Sequence, residues 1–370
     1  MSTKGNDQST TAASRARRGI SRRDLLIGAG VGAAAIGLPG LFGGGRQAMA
    51  ATNAGYDLAA ARKEGPVVIW HADQEADVVE FLKVFTKKTG IQTVQQRLLP
   101  GAALPKLLTE LRMGATDVDV YDTSDAGLME QLRKQGHLLR YESPELAAYA
   151  PQYKSNPVGF WAAYYINIGT IMYDPRYVQP DTAPKTWLDL LDPRWKGQVG
   201  FQNASAGTQY TWWYLLKDIL PKDYWDHLAA QKPRAYSSST QIVTDMHNGN
   251  LKIGGKVSSF QYVKSKRLKQ PIEIVFPPEG APAQSQVVGI IGPTKRPNAA
   301  KAYVNFLLSQ EGQQSWNQIQ GSPSARTDVD YPGQPDMSKA KIIVPTDMDD
   351  YALTTNHAEF VKLWNKITGF

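Results

Sequence analysis

Four short clusters of polar residues are the part of this sequence best suited to binding chemistry. Two of them follow predicted strands, and two precede predicted helices. In open α/β sheets such loops gather beyond the carboxyl ends of the strands, where ligands bind. Free backbone N–H groups at a helix N-terminus favour an anion there, and the helix dipole adds about 0.3–1 kcal/mol. The clusters therefore predict a site for a ligand that bears an oxyanion.

The candidate ligand-binding residues come from these clusters and from two neighbouring strands. They are Trp70, His71, Asp73 and Gln74; Thr123, Ser124 and Asp125; Ser205, Gly207 and Thr208; Ser259, Phe260 and Tyr262; and Arg97 and Tyr165. Arg97 ends a predicted strand and could pair bidentately with a carboxylate or phosphonate, although a solvated surface arginine is the alternative. The competing interpretation of the Ser, Thr and Asp residues is that they are only helix N-caps.

Aromatic residues are concentrated near the same clusters, and some could stack on a solute. Trp70 is the strongest candidate, because it ends a predicted strand beside polar neighbours. Trp212 and Trp213 point to different faces of one predicted helix, so both cannot line a cleft. Core packing is the better interpretation for most of these rings.

Motifs of catalysis and metal binding are missing from the sequence. The histidines at 71, 137, 227, 247 and 357 include no pair at metal-ligand spacing, and there is no cysteine. No G-x-S-x-G nucleophile motif occurs, and Gly28, Gly30 and Ala33 match the dinucleotide fingerprint G-x-G-x-x-A only inside a predicted signal peptide. We expect no enzyme activity, no cofactor and no metal site.

The elements that must position these clusters alternate between strand and helix. The apolar run Val67 to Trp70 predicts a strand, Val78 to Phe85 carries helical spacing, and Val118 to Tyr121 predicts a further strand. A second α/β block starts near Trp161, and residues 285–308 look like a return to the first block. The pattern predicts an α/β fold with one lobe of residues 56–160 plus 287–325 and another of 161–286 plus 326–370.

The first 50 residues resemble a twin-arginine signal peptide. Arg22 and Arg23 precede the uncharged stretch Leu25 to Phe42, and Ala48 and Ala50 suit signal peptidase, so we expect cleavage after Ala50 and delivery to the periplasm. A retained N-terminal anchor is the alternative. Without this segment 34 basic and 32 acidic residues remain, which gives no support for a nucleic-acid or anionic-membrane partner. We expect a soluble monomer.

Several stretches resemble the extracellular solute-binding proteins of bacterial ABC importers, in the group that contains ferric-iron, thiamine and phosphonate binders. The most specific are Pro184 to Gly197 and Pro297 to Gly312, joined by Lys63 to Trp70 and Asp117 to Tyr121. The resemblance implies a two-lobe periplasmic-binding-protein-like fold with two hinge strands and a central ligand cleft. It also implies a small-molecule solute and a membrane permease as partners.

The resemblance also frames the choice between iron and an organic solute. Ferric-binding members hold the metal with two adjacent tyrosines, often helped by a histidine and a glutamate. The corresponding positions here are Ser259, Phe260, Gln74 and Ser124. A trivalent ion needs anionic oxygen donors, which these side chains cannot supply. We therefore predict an organic acid, phosphonate or similar oxyanion.

Three alternatives stay open. Tyr262, Tyr164, Tyr165 and Asp73 could form an atypical ferric site. An extracytoplasmic protein that hands its closed form to a sensor receptor would share every feature of the sequence. A secreted hydrolase would need a pair such as Ser205 and His71 to converge, and no motif supports it.

Overall fold

The computed structural model describes residues 55–330 and 332–369. The predicted signal peptide and its cleavage after Ala50 lie outside the described residues. The described chain is a mixed α/β structure in two lobes, each built around its own large hydrophobic core.

The first lobe follows the strand and helix alternation expected from the sequence. Its elements are α1 (Leu58–Lys63), β1 (Val67–His71), α2 (Glu75–Thr89), β2 (Thr93–Arg97), α3 (Pro100–Arg112), β3 (Val120–Thr123), α4 (Ala126–Lys134), β4 (Leu138–Leu139), α9 (Pro297–Leu308) and α10 (Gln310–Gln320). The helical spacing of Phe81 and Phe85 places both rings against α9, where Phe85 lies 5.3 Å from Tyr303 and Phe81 lies 5.6 Å from Phe306, centroid to centroid. These ring contacts hold α9, which lies far along the sequence, against the first lobe.

The second lobe is richer in tryptophan. Its elements are β6 (Val199–Gln202), α5 (Gly207–Leu216), α6 (Tyr224–Ala230), β7 (Arg234–Tyr236), α7 (Ser239–His247), β8 (Ile253–Ser258), α8 (Phe260–Arg267), β9 (Glu273–Val275), β11 (Ile342–Ile343), α11 (Met348–Tyr351) and α12 (Thr354–Thr368). Trp212 stacks on Phe201 at 5.2 Å and meets Trp187 at 5.1 Å and Trp364 at 5.6 Å. The tryptophans of α5 therefore belong to the core, as their positions on the helix predicted.

Two long strands, β5 (Trp161–Tyr173) and β10 (Ala281–Ile291), connect the lobes. The strand order is β2-β1-β3-β10-β5-β8-β6-β7, with parallel pairing among β1, β2 and β3 and among β6, β7 and β8. The long strands pair antiparallel with each other, β10 pairs antiparallel with β3 and β5 with β8, whereas β10 pairs in parallel with the short β11. The two long strands thus join the parallel strands of one lobe to those of the other.

The passage between the lobes can be followed along β5. Residues Trp161 to Ile168 pair with β10, whereas Gly169 to Tyr173 pair with β8. Ala163 and Tyr164 are buried in the first core, and Ile171 and Tyr173 in the second. Strand β5 contributes residues to both cores, so no single residue of it separates the lobes. The lobe boundaries drawn from the sequence therefore stay a prediction.

The end of the chain packs on the second lobe. Tyr351, Phe360 and Trp364 are buried in its core. In the part of the chain that the structure describes, no helix has the length and apolar character needed to cross a membrane.

Candidate functional site

A cleft lies between the two lobes, and both lobes and both long strands contribute to its lining; its empty space, open solvent included, is about 390 Å³. The lining residues are Ala72, Asp73, Gln74, Arg97, Leu99 and Ser124 from the first lobe, Tyr165, Asn167 and Gln286 from the long strands, and Gln202, Ala206, Thr208, Ser239, Ser258 and Phe260 from the second lobe. The surface is mostly amide and hydroxyl groups. Such a lining suits a polar solute of modest size.

The loop after β1 supplies the acidic group of the cleft. The carboxylate of Asp73 accepts the hydroxyl of Tyr164, the hydroxyl of Tyr165 at 2.5 Å and the Nε2–H of Gln320 at 3.1 Å. Asp73 is 4% exposed, so these donors take the place of water around its charge. The side chain is therefore fixed before any solute arrives.

The two phenols keep their protons. Burial, with the nearby carboxylates of Asp73 and Asp122, raises the pKa of Tyr164 and of Tyr165 well above the usual range. Both hydroxyls are therefore hydrogen-bond donors to Asp73. In the described part of the chain, no group of three or more His, Cys, Asp or Glu side chains could hold a metal.

Arg97 supplies the cationic group. The side chain extends from the end of β2, and its Nε–H donates to the backbone oxygen of Asp73 at 2.8 Å. Its Nη2 is buried without a hydrogen-bond partner. An unpaired buried guanidinium nitrogen is costly, so this group is preorganised for an acceptor that a solute can bring.

In the loop after β3, two predicted residues stabilise the start of α4 and one lines the cleft. Asp125 caps α4 by accepting from the N–H groups of Gly127 and Leu128 at 3.0 and 3.3 Å, and Thr123 accepts the N–H of Asp125 at 3.1 Å. Thr123 and Asp125 do not line the cleft, and Asp125 is a helix N-cap, as the alternative interpretation held. Ser124 does line it.

The N-terminus of α5 forms part of the opposite wall. Ala206, the residue before the helix, has no side chain that can cap it. Thr208 and Ser239 donate to the same Gln202 oxygen at 3.2 and 3.1 Å, which orders three of the lining side chains. Gly207 does not line the cleft, but a Cβ there would lie 2.9 Å from the Ser124 backbone oxygen. Only glycine allows the lobes to approach so closely.

Five other predicted residues lie away from the lining. Trp70 is 4% exposed beneath Lys106, whose Nζ lies 4.3 Å from the ring centroid. His71 is wholly buried, its Nε2 lies 2.6 Å from Gln95 Oε1, and burial lowers its pKa.

Ser205 contributes its backbone oxygen to Gly101 N–H of the first lobe, at 3.4 Å. Ser259 is wholly buried with an unpartnered Oγ. Tyr262 packs on the cluster around Met172, with Lys266 Nζ 4.8 Å from its ring centroid.

The structure therefore brings Asp73, Gln74, Arg97, Ser124, Tyr165, Thr208 and Phe260 together out of the predicted set.

Sequence reasoning missed the residues contributed by strands. Asn167 and Gln286 lie on β5 and β10, are 6% and 1% exposed, and line the cleft. Their signal was an amide side chain inside an otherwise apolar strand. A buried amide needs partners, and a solute can supply them. Gln202 was missed for the same reason, and Ser239 was missed because its helix was not predicted, whereas Ser258 begins one of the four predicted clusters.

The lobes are closed on each other. Lys264 of α8 pairs with Asp77 of α2 at 2.5 Å, and Thr240 donates to Gln74 of the cleft lining at 3.3 Å. At another point His357 of α12 pairs with Asp125 at 2.7 Å. These contacts form only when the lobes meet, so they stabilise the closed form.

Comparison with known proteins supplies the family. A family model described as bacterial extracellular solute-binding protein matches residues 117–344. The chain belongs to this family. The assignment confirms the resemblance seen in the sequence.

Curated relatives cover different shares of the chain. An uncharacterized protein of Haemophilus influenzae is 30% identical over 190 residues, which is 49% of this chain and 54% of that protein. The Fe(3+)-binding periplasmic protein of Serratia marcescens is 23% identical over 267 residues, 70% of this chain and 78% of that one. The chain thus spans about half the length of the Haemophilus relative.

Solved structures share the fold. The periplasmic binding protein AfuA of Actinobacillus pleuropneumoniae, with fructose-6-phosphate bound, has a TM-score of 0.73 at 22% identity, covering 83% of this chain and 99% of that one. Iron-bound HitA of Pseudomonas aeruginosa has a TM-score of 0.70 at 19% identity, covering 82% and 99%. These likenesses confirm the predicted two-lobe α/β fold.

Proposed function

We propose that this protein is exported to the periplasm, binds a small oxyanion-bearing solute between its lobes and delivers it to the permease of an ABC importer. Its family and the periplasmic names of its relatives support transport. The observation that carries the choice of solute is the buried, unpartnered Nη2 of Arg97 in a cleft of hydroxyl and amide groups. The signal peptide, its cleavage after Ala50, the lobe boundaries and a monomeric state are part of the same proposal.

Capture follows from lobe closure. A solute shifts the balance between open and closed forms only by binding the closed form more tightly. Here the first lobe offers Arg97 and Ser124, and the second offers Thr208, Ser239 and Ser258 across the cleft. A solute that contacts both sets stabilises the closed form, which is the shape a permease would recognise.

Ferric iron is the second candidate. The Serratia relative is named for Fe(3+), and Tyr164 and Tyr165 converge on Asp73. Both phenols are already donors to Asp73, which argues against it, and Tyr262, the remaining tyrosine of the atypical ferric hypothesis, lies outside the cleft lining.

Other uses of the fold receive less support. His71 is buried against Gln95 and does not line the cleft with a nucleophile, which argues against a hydrolase. A sensor receptor in place of a permease would recognise the same closed form.

A thermal-shift screen tests the proposal. Organic acids, phosphonates, thiamine and ferric citrate would be added to the purified protein, because a ligand at about 100 times its Kd stabilises the folded state by about 2.7 kcal/mol. We expect stabilisation by oxyanions and no visible phenolate-to-iron charge-transfer colour with ferric citrate. A stoichiometric reddish ferric complex that is lost in Tyr165→Phe would replace the oxyanion proposal with the ferric one.

A further inference from the structure

The charged side chains that line the cleft are few. Of the lining residues, only Asp73 and Arg97 carry a charge, and both come from the first lobe. The carboxylate of Asp73 is held by three uncharged donors, whereas the guanidinium of Arg97 donates to a backbone oxygen. Arg97 can therefore balance one negative charge of a solute, and a second negative charge would stay uncompensated.

Asp73 disfavours a second negative charge on the solute. Asp73 already accepts three donors, and the buried carboxylate of Asp122 lies behind it, bonded to Ala72 N–H at 3.0 Å and Gln286 Nε2–H at 2.8 Å. Burial, with the charge of Asp73, raises the pKa of Asp122 well above its usual range, as expected where negative charge is already crowded. A second anionic charge beside Asp73 would be repelled.

An ammonium group on the solute would also bind poorly beside Asp73. The three donors on Asp73 occupy most of its acceptor sites, and Arg97 Nε lies 2.8 Å from the backbone oxygen of the same residue. A solute cation would meet a positive neighbour and find little free acceptor capacity.

The second-lobe wall is uncharged but rich in hydrogen-bonding groups. Gln202, Thr208, Ser239 and Ser258 line it, and Asn167 Oδ1 is buried without a partner beside them. Lys256 precedes Ser258 by two residues but does not line the cleft, and burial lowers its pKa to about 7. These groups suit hydroxyl or amide groups of a neutral solute body.

We infer that the cleft selects a monoanion, with one singly charged oxyanion at Arg97 and an uncharged body that bears hydroxyl or amide groups against the second lobe. This inference rests on the proposed function and narrows its solute class. Uncompensated charge in a closed cleft is costly, so a dianion of the same skeleton binds more weakly.

Matched probes on two skeletons test this. Glycerate and gluconate are monoanions, glycerol and sorbitol are neutral, and glycerol 3-phosphate and sorbitol 6-phosphate are dianions. Serine is the three-carbon acid with one hydroxyl replaced by an ammonium group. Calorimetric titration of the full-length protein is expected to show the tightest binding for a monoanion, with at least ~10-fold weaker binding of its dianion and of serine.

A charge-addition variant sharpens the test. Thr240 is exposed at the rim of the cleft and bonded to Gln74, so Thr240→Arg adds a second cation without entering a core. We expect Thr240→Arg to reduce the difference in affinity between dianion and monoanion, whereas Thr240→Gln should leave that difference unchanged.

Equal or tighter binding of the dianions by the unaltered protein would overturn the monoanion inference and leave oxyanion capture standing. Binding of ferric iron or a cation with no oxyanion binding would overturn both.

Discussion

The two walls of the cleft differ in how they can recognise a solute. The first-lobe wall holds both charges, Asp73 and Arg97, each fixed by neighbours before a solute arrives. The second-lobe wall is uncharged and offers hydroxyl and amide groups tied together through Gln202. Under the proposed function, the first lobe would select the charge of the solute, and the second lobe would select its hydroxyl and amide groups.

The largest expected effect comes from removing the charge of the first wall. Arg97→Met deletes the guanidinium while keeping a similar unbranched stem, and we expect a loss of about 2–4 kcal/mol in oxyanion binding, since charge-assisted hydrogen bonds are lost. Calorimetry with the tightest oxyanion of the screen measures this loss.

Arg97→Lys is the matched control, because it keeps the charge but not the fork of donors. It should retain part of the affinity. Unchanged affinity in Arg97→Met would show that the first wall does not select charge.

A smaller effect is expected from the contacts that hold the walls together. Lys264 pairs with Asp77 across the lobes with side-chain exposures of 21% and 9%. Burial raises the pKa of Asp77, although Lys264 opposes this. Lys264→Met leaves that carboxylate without its partner only in the closed form, so solute affinity should fall by about 1 kcal/mol.

Lys134→Met is a control for the loss of an interlobe pair. Lys134 pairs with Asp349 at 2.5 Å, but their exposures are 48% and 80%, so the expected change is under ~0.5 kcal/mol. Equal losses in the two variants, measured by calorimetry, would show that burial of the pair does not matter to closure.

The sequence predicted the first wall better than the second. Asp73, Gln74, Arg97 and Ser124 all lie at the carboxyl ends of parallel strands, where the general rule for α/β sheets places ligands. That rule depends only on strand order and direction, which apolar patterning reveals. The cleft residues of the first wall were therefore accessible from local pattern.

The second wall and the long strands depend on tertiary approach. Asn167 faces the cleft from the middle of β5, and no loop or helix start marks it. Conversely Asp125 and Gly207 have the residue types of a binding loop but serve as a helix cap and as a close interlobe contact. The residue type in a loop does not show whether the residue binds a solute, caps a helix or contacts the other lobe. Only the relative position of the two lobes shows this.

Single hydroxyls of the second wall should matter modestly. Ser258→Ala removes one uncharged hydrogen-bonding group from a buried position, and a loss of about 0.5–1.5 kcal/mol in solute affinity is expected. Ser265→Ala is a matched control, since this buried serine lies in α8 and does not line the cleft. A loss above that of Arg97→Met in the same titration would reverse the roles assigned to the walls.

The smallest effect is a pH dependence of closure at His357. Burial alone lowers the pKa of His357, but hydrogen bonding to Asp125 and its charge outweigh burial, and the pKa is raised. The stacked ring of Tyr210 and the backbone oxygen of Leu353 complete its surroundings. A raised pKa means that the pair is fully formed below about pH 6.5 and is lost as the pH rises through the folded-state pKa.

Solute affinity should therefore fall slightly from pH 6 to pH 8, by under ~1 kcal/mol. His357→Gln should flatten this slope in calorimetric titrations. A slope that is the same in the variant would assign the pH dependence to other groups.

Lobe closure on a monoanion is the central claim, and the cysteine-free chain allows a direct measurement. Spin labels at Thr109→Cys in α3 and Thr244→Cys in α7 would sit on exposed positions of opposite lobes, and pulsed electron resonance would report their separation. A pool of glycerate and gluconate is expected to shorten the distance and narrow its distribution, and the same pool should have no effect once Arg97→Met is added. An unchanged distance with these monoanions, or equal shortening with sorbitol 6-phosphate or in the Arg97→Met background, would contradict the account.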